Sequence, residues 1–208
     1  MARYREPVCR LCRREGLKLF FKGSRCLSDK CSLERRAYAP GDAGQKRVKL
    51  SQYGIQLREK QKVRRLYGLT EAPFRNVFKK AEKSKESSGE FLLQLLERRL
   101  DSVCFKLGFG ASRADARQLI RHRHVMVNGK TVTMPNYSLN AGDVIELPEK
   151  SRALDRVKVG QETLKLREIP SWLELNSELL KGTVKTLPTR GDITLPIEEH
   201  LIIELYSR

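Results

Sequence analysis

The sequence predicts an α+β protein: a helical N-terminal region with paired cysteines, then helices packed on a small, mostly antiparallel sheet. Three observations predict it. Apolar residues recur at helical spacing between residues 51 and 121, an Asn-Gly step separates two short extended runs, and four of five cysteines lie within the first 31 residues. Period-3.6 and hairpin signals in successive parts of one chain are typical of helices beside an antiparallel sheet.

The N-terminal half predicts irregular structure followed by two helices. Residues 1–45 lack sustained periodicity. Ser51 can cap a helix that runs to Tyr67, and Gly68 can end it in a left-handed turn. A second helix is predicted from Thr70 to about Lys83, and the polar run 84–89 then breaks the pattern.

A further apolar stripe predicts continued helix. Its members are Leu92, Leu96, Leu100, Val103 and Leu107. Gly108 ends it, Ser112 caps the next helix, and Asp115 stands at the acidic position of a capping box. The inward face of that helix is Ala116, Leu119 and Ile120.

Strands are predicted after this helix. Asn128-Gly129 between residues 124–127 and 130–133 is the strongest short hairpin signal, because both turn positions favour positive φ. Residues 144–147 form another strand, and 193–195 and 201–206 are strand candidates. Residues 151–190 fit strand or loop equally well. We therefore divide the chain into a cysteine-bearing segment 1–45, a basic helical domain 46–90, a helix-hairpin domain 91–150 and a strand-rich part 151–208 that completes the fold.

The charge points to a polyanionic partner. The net charge is +17, and residues 1–88 carry 24 basic against 9 acidic groups. Such an excess repels itself and is usually retained because an anion neutralises it. No apolar run approaches the ~20 residues of a membrane span, and no signal segment opens the chain. We expect a soluble, cytoplasmic nucleic-acid-binding protein without a membrane partner.

Four cysteines predict a metal site. Cys9, Cys12, Cys26 and Cys31 have the spacing C-x2-C, thirteen residues, C-x4-C. Two close pairs in a segment too polar to fold alone favour one structural zinc ion. An iron–sulfur cluster can use the same four thiolates, and disulfides are disfavoured in a cytosolic chain. Cys104 stands apart at a helical core position.

No catalytic motif is present. The sequence has no Walker loop, GxGxxG, HExxH or nucleophile elbow, and its three histidines have no ligand spacing. Arg113, Arg117 and Arg121 repeat every four residues, which predicts either a solvated or an anion-binding helix face. Aromatic residues are only 7% of the chain, so recognition of phosphate and shape fits better than base stacking.

These motifs resemble a known family. LERRLD (96–101), LGF (107–109), SRADARQLI (112–120), VNG (127–129) and GD (142–143) resemble the RNA-binding domain shared by small-subunit ribosomal protein four, some pseudouridine synthases and bacterial tyrosyl-tRNA synthetases. ARY (2–4), the cysteine set, QLREKQKVRR (56–65), FRN (74–76), PSWL (170–173) and ELYSR (204–208) narrow the resemblance to the four-cysteine form of the ribosomal protein family. Many relatives have Gly where this chain has Arg123, so we expect a left-handed bend there.

The resemblance implies a structural, non-enzymatic constituent of the small ribosomal subunit. It implies a primary binder of 16S ribosomal RNA that nucleates assembly of the 5′ domain, with a role in translational accuracy and, in some members, repression of its own mRNA. The implied partners are 16S RNA, small-subunit ribosomal protein five and mRNA at the entry channel, without a stable homo-oligomer. The residues expected to face mRNA are Lys46, Arg47 and Lys49.

The remaining candidates are expected to contact ribosomal RNA. They are Arg3, Arg10, Arg13, Arg14, Arg35, Arg36, Arg58, Lys60, Lys62, Arg64, Arg65, Ser112, Arg113, Arg117, Gln118, Arg121, His122, Asn128 and Lys130. Two alternatives use the same features. An RNA-modifying enzyme could carry the same RNA-binding domain, although no second, catalytic domain is evident, and a zinc-dependent regulator could place a basic helix in DNA.

Overall fold

The computed structural model describes residues 4–46, 49–84, 87–194 and 196–207. The chain divides into two compact units. The first comprises Met1–Leu93 and Leu195–Arg208, and the second comprises Gln94–Thr194. No helix in the described part of the chain is long and apolar enough to cross a membrane.

The first unit is helical. Its helices are α1 (Cys9–Glu15), α2 (Ser32–Arg35), α3 (Gln52–Leu66), α4 (Glu71–Glu82), the start of α5 (Ser88–Glu97) and the C-terminal α10 (Glu199–Tyr206), with 3-10 turns at Gly23–Leu27 and Asp42–Gln45. The predicted ends of α3 are confirmed. Ser51 Oγ accepts from Gly54 N at 3.2 Å, and Gly68 has φ 62° just beyond the helix.

The C-terminal strand prediction for residues 201–206 is wrong. These residues lie in α10 (Glu199–Tyr206), which packs against α3. Leu201 and Ile202 are buried and Leu205 is half-buried, one turn further on the same side. A short apolar run has no periodicity that separates helix from strand. Helix forms here because the run packs on another helix and pairs with no strand.

The second unit places helices on a five-stranded sheet. Its strands are β1 (Met126–Val127), β2 (Lys130–Thr131), β3 (Val144–Glu146), β4 (Leu173–Asn176) and β5 (Lys181–Val184), and its helices are the end of α5, α6 (Leu100–Lys106), α7 (Arg113–Arg121), α8 (Glu149–Arg152) and α9 (Asp155–Leu164). The order is β2-β1-β3-β5-β4, and every neighbouring pair is antiparallel. This confirms the predicted α+β class. In register, Met126 faces Thr131 and Ile145 faces Gly182.

The hairpin and the second capped helix form as predicted. Asn128 and Gly129 have φ 50° and 76°, which are the two positive values of the tight turn. Ser112 Oγ accepts from Asp115 N at 3.2 Å, whereas the Asp115 carboxylate accepts from Ala111 N. Only half of the predicted capping box is therefore present. Arg123 adopts the expected left-handed conformation, with φ 65°.

The long apolar stripe belongs to two helices instead of one. All five members are fully buried, but α5 ends at Glu97 and α6 begins at Leu100. Arg99 between them is extended and forms an antiparallel bridge with Ser138. Leu100 N then donates to the Tyr137 carbonyl. The break follows from these distant backbone partners, which the local pattern does not show.

Residues 151–194 also differ from the expectation. The ambiguous stretch 151–190 contains α9 and the hairpin of β4 and β5. The strand candidate at 193–195 follows a 3-10 turn (Arg190–Asp192), and its described residues belong to no strand. Gly182 in β5 packs against Leu107, the residue that follows α6, and a Cβ there would be 2.3 Å from Leu107 Cδ1. Any larger residue at this position would therefore force the buried Leu107 side chain to shift.

Candidate nucleic-acid interface and cysteine cluster

The basic residues of α3 are paired within the first unit. Arg58 and Arg65 both contact the buried Glu15 carboxylate. Lys60 Nζ lies 2.6 Å and Arg64 Nη1 3.3 Å from Glu71. Lys62 joins Glu59 at 2.7 Å and donates to the Pro196 carbonyl. All five cations are at least partly buried, so α3 uses much of its charge to hold its neighbours.

The acids that receive these cations are themselves perturbed. Burial raises the pKa of Glu15, and the charges of Arg65 and Arg58 oppose that rise. Burial by itself would also raise the pKa of Glu71. Hydrogen bonds from Lys60 and Tyr206, helped by the charge of Lys60, nevertheless hold the pKa of Glu71 below its ordinary value. Both carboxylates are therefore components of the first unit's internal network.

Exposed cations lie in the cysteine-bearing segment. Arg10, Arg35 and Arg36 are exposed. Arg14 is exposed and donates to the Pro40 carbonyl at 3.1 Å, whereas Arg13 stacks on Tyr38 with its Cζ 4.8 Å from the ring centroid. The first three keep their charge available to a ligand, and the other two also position the chain that leads to α3.

One cationic surface was missed by the sequence analysis. Arg75, Lys79, Lys80 and Lys83 are exposed along and just beyond α4 and form no ion pair with a described acid. We call these four residues the α4 basic face. Phe74, Phe78 and Ala81 are buried on the opposite side of the helix. The signal was present in the sequence as a basic set out of phase with that apolar stripe.

The arginine stripe of α7 does not form one exposed face. Arg117 Nη1 lies 3.4 Å from Asp101 Oδ2, and the Arg117 side chain is only 11% exposed. Arg113 lies over the Phe105 ring. Arg121 alone of the three is exposed, and it continues into the exposed His122 and Arg123. The available charge of this element therefore lies at its C-terminal end.

The other candidates of the second unit have mixed roles. Lys130 is exposed on β2. Asn128 donates to Asp143 at 2.8 Å and accepts from Val144 N at 2.8 Å, so it ties the hairpin to β3. Gln118 accepts from Arg156 at 3.5 Å, and Ser112 is buried as a cap.

The remaining candidates lie before α3 or at the N-terminus. Lys46 and Lys49 are both exposed. Arg47 and Arg3 lie outside the described residues. Two of the three expected mRNA-facing residues are thus accessible for contact.

The four paired cysteines converge on one pocket. Cys9, Cys12, Cys26 and Cys31 all line it, and all four are free thiols. Lys22 N donates to Cys26 Sγ at 3.3 Å. Burial raises the pKa of Cys12 to about 11, with smaller contributions in the same direction from Cys26 and Cys9. Burial also raises the pKa of Cys26. Burial therefore favours the protonated thiols of Cys12 and Cys26 unless a cation replaces their protons.

The donor set fits zinc, although it is not assembled at metal-ligand separation. Four sulfur donors without an open position are typical of a structural zinc site. Within the described ranges no group of three or more Cys, His, Asp or Glu side chains stands close enough to hold an ion as it is. Cys104 is fully buried in α6, as predicted, and burial raises the pKa of its thiol.

Comparison with known proteins gives a consistent result over the whole chain. Residues 3–97 match the ribosomal protein S4/S9 N-terminal domain, and residues 98–145 match the S4 domain. Curated relatives named small ribosomal subunit protein uS4 align over 100% of both chains. Their identities are 58% in Desulforapulum autotrophicum, 56% in Anaeromyxobacter sp. and 56% in Citrifermentans bemidjiense.

Proposed function

Since this chain belongs to the uS4 family of small ribosomal subunit proteins, we propose that it binds folded 16S ribosomal RNA early in assembly of the subunit. The chain is a structural constituent of the cytoplasmic ribosome and not an enzyme. The observation that carries the proposal is the net charge of +17 combined with exposed cations on both units.

The free charges favour contact with phosphate. In the first unit Arg10, Arg35, Arg36 and the α4 basic face supply exposed cations, and in the second unit Arg121, Arg123 and Lys130 do so. Within the described residues the exposed aromatic side chains are Tyr4, Tyr38, Tyr53 and Tyr137, and none of them lies on a strand of the sheet. Backbone and shape recognition needs the RNA to be folded, because isolated strands present no fixed phosphate array.

Two measurements test the proposal. Filter binding at several salt concentrations should show much tighter binding to a folded 5′-domain RNA than to a linear RNA of equal length. Affinity should fall steeply with salt. Order-of-addition assembly, followed by sedimentation, should place this protein among the first to join 16S RNA. Equal affinity for the two RNAs, or addition only after other proteins, would reject an assembly-nucleating role.

We also propose that the four paired cysteines hold one structural zinc ion. Zinc would replace the thiol protons that burial favours and crosslink α1, the Gly23–Leu27 turn and the start of α2. Elemental analysis should give one zinc per chain. Cys26→Ser should lower that content, whereas Cys104→Ser should leave it unchanged. Iron with sulfide in the wild-type protein, or no metal in the wild type and in Cys104→Ser, would contradict the assignment.

A contribution at the mRNA entry channel, beside small-subunit ribosomal protein five, is proposed for residues 46–49. The exposed Lys46 and Lys49 support it, with Arg47 between them in sequence. Changing all three to Ala should leave assembly intact, slow translation through structured mRNA and alter accuracy. A subunit that fails to assemble would instead place these residues in the ribosomal RNA contact.

We propose that the same RNA-binding surface also serves repression of the protein's own mRNA. A folded leader that presents phosphates in a similar array would compete with 16S RNA for it. Added protein should then reduce translation of its own message in vitro, and added 5′-domain RNA should restore it. Repression that excess 5′-domain RNA leaves unchanged would show a separate binding surface.

A further inference from the structure

Two guanidinium groups share one aromatic ring in the second unit. Phe105 is buried in α6, with 7% exposure. Arg113, the first residue of α7, has its Cζ 4.7 Å from the ring centroid, and Arg167, three residues beyond α9, has its Cζ at 4.2 Å. The Cζ atoms of Arg113 and Arg167 therefore lie close together, separated by no more than the sum of these two distances. Three separate segments bring them together.

The positive charge of Arg167 lacks a local counter-charge. Within the described part of the chain no carboxylate lies at ion-pair distance from Arg167, and its Nε makes a long contact of 3.4 Å with the Thr163 carbonyl. Its Nη2 is buried without a hydrogen-bond partner. Burial lowers the pKa of Arg167, and the charge of Arg113 lowers it further. An anion would relieve both effects.

The acid at the start of α7 is already engaged. Asp115 accepts from the Ala111 backbone and pairs with Arg156 at 3.4 Å.

The Phe105 ring holds both guanidinium groups through cation–π contacts. These contacts limit the rotamer freedom that ligand binding must remove. Preorganised planar forks of this kind suit phosphate oxygens, which accept at about 2.8 Å.

We propose that Arg113 and Arg167, aligned by Phe105, clamp a backbone phosphate of the RNA. The inference rests on the proposed binding of 16S RNA and adds Arg167 to the residues that contact it. A guanidinium pair at this separation can reach the oxygens of one phosphate group from two directions. The added anion would offset the repulsion between the two guanidinium charges.

Arg167→Gln tests the clamp, with Lys165→Gln as the matched control. Lys165 is exposed, lies two residues earlier and loses the same charge on substitution. Filter binding to folded 5′-domain RNA should show Arg167→Gln about tenfold weaker, with a salt slope reduced by about one. The control should keep the wild-type affinity and slope. Arg167→Lys should keep the slope and bind more weakly, because the fork is lost.

Two further measurements separate binding from packing. The double variant Arg113→Gln/Arg167→Gln should lose less affinity than the product of the single losses, since both side chains share one phosphate. Thermal unfolding of each free variant controls for folding. Wild-type affinity and slope in Arg167→Gln, or equal changes in Lys165→Gln, would overturn the clamp without bearing on RNA binding by the rest of the protein. Failure of the wild-type protein to prefer folded RNA would overturn the proposed function itself.

Discussion

Replacing Asp101 by Asn should destabilise the second unit by about 3 kcal/mol, because it removes the charge that balances a buried arginine. Arg99 Nε and Nη2 lie 3.0 and 2.7 Å from the two Asp101 oxygens. Both side chains are almost fully buried, at 6% and 4% exposure. Arg117 makes a third, longer contact at 3.4 Å.

The magnitude follows from what each substitution leaves behind. Asn at 101 keeps the shape and one acceptor, but Arg99 stays buried with its charge uncompensated. Breaking a buried pair in this way costs roughly 3–5 kcal/mol, and the retained acceptor places the estimate at the low end. Arg117→Ala leaves the Arg99 pair intact and should cost about 1 kcal/mol. The stripe interpretation, in which Arg117 serves only RNA, predicts no loss of stability from that change.

Urea unfolding followed by circular dichroism measures both effects on the free protein. Asp155→Asn is the matched control, since its side chain is 98% exposed and, among the described residues, its ion pair is with the exposed Lys158 at 3.5 Å. It should unfold like the wild type. If Asp101→Asn also unfolds at the wild-type urea concentration, then the buried pair does not stabilise this unit and the reasoning fails.

The remaining predictions concern other contacts. Tyr206→Phe removes the hydrogen bond to Glu71 and should cost about 1 kcal/mol at pH 7 by urea unfolding. Because the folded pKa of Glu71 is depressed, its stabilisation is present above the unfolded pKa and is lost as pH falls through the folded one, so this difference should shrink in acid. Gly182→Ala should cost roughly 1–3 kcal/mol, since the new Cβ meets the buried Leu107 side chain just after α6; an unchanged unfolding midpoint would contradict that packing. Gln at both Lys79 and Lys80 of the first unit should lower the salt slope of RNA binding by up to about two, whereas Gln at both Lys158 and Lys165, which are exposed in the second unit, should not alter it.

The sequence alone determined the elements that close on near neighbours. The Ser51 cap lies three residues from its partner amide, the Ser112 cap is also local, and Asn128-Gly129 needs only its own φ values. The gathering of the four cysteines in one pocket was likewise predictable from close spacing within a short segment. The family resemblance was also visible in short runs of consecutive residues, such as 96–101 and 112–120.

Tertiary structure decided which charges are available and which apolar runs become strands. Glu15 lies 43 residues from Arg58, and Asp101 lies 16 from Arg117, so a charge count along the chain could not show that these cations are paired. The C-terminal run became a helix because α3 supplied a helical surface, and the α5–α6 break arose because the chain near Ser138 supplied backbone partners. Local hydrogen bonds are specified within a few residues, whereas pairing of charge and burial of apolar faces depend on which distant segments the fold brings together.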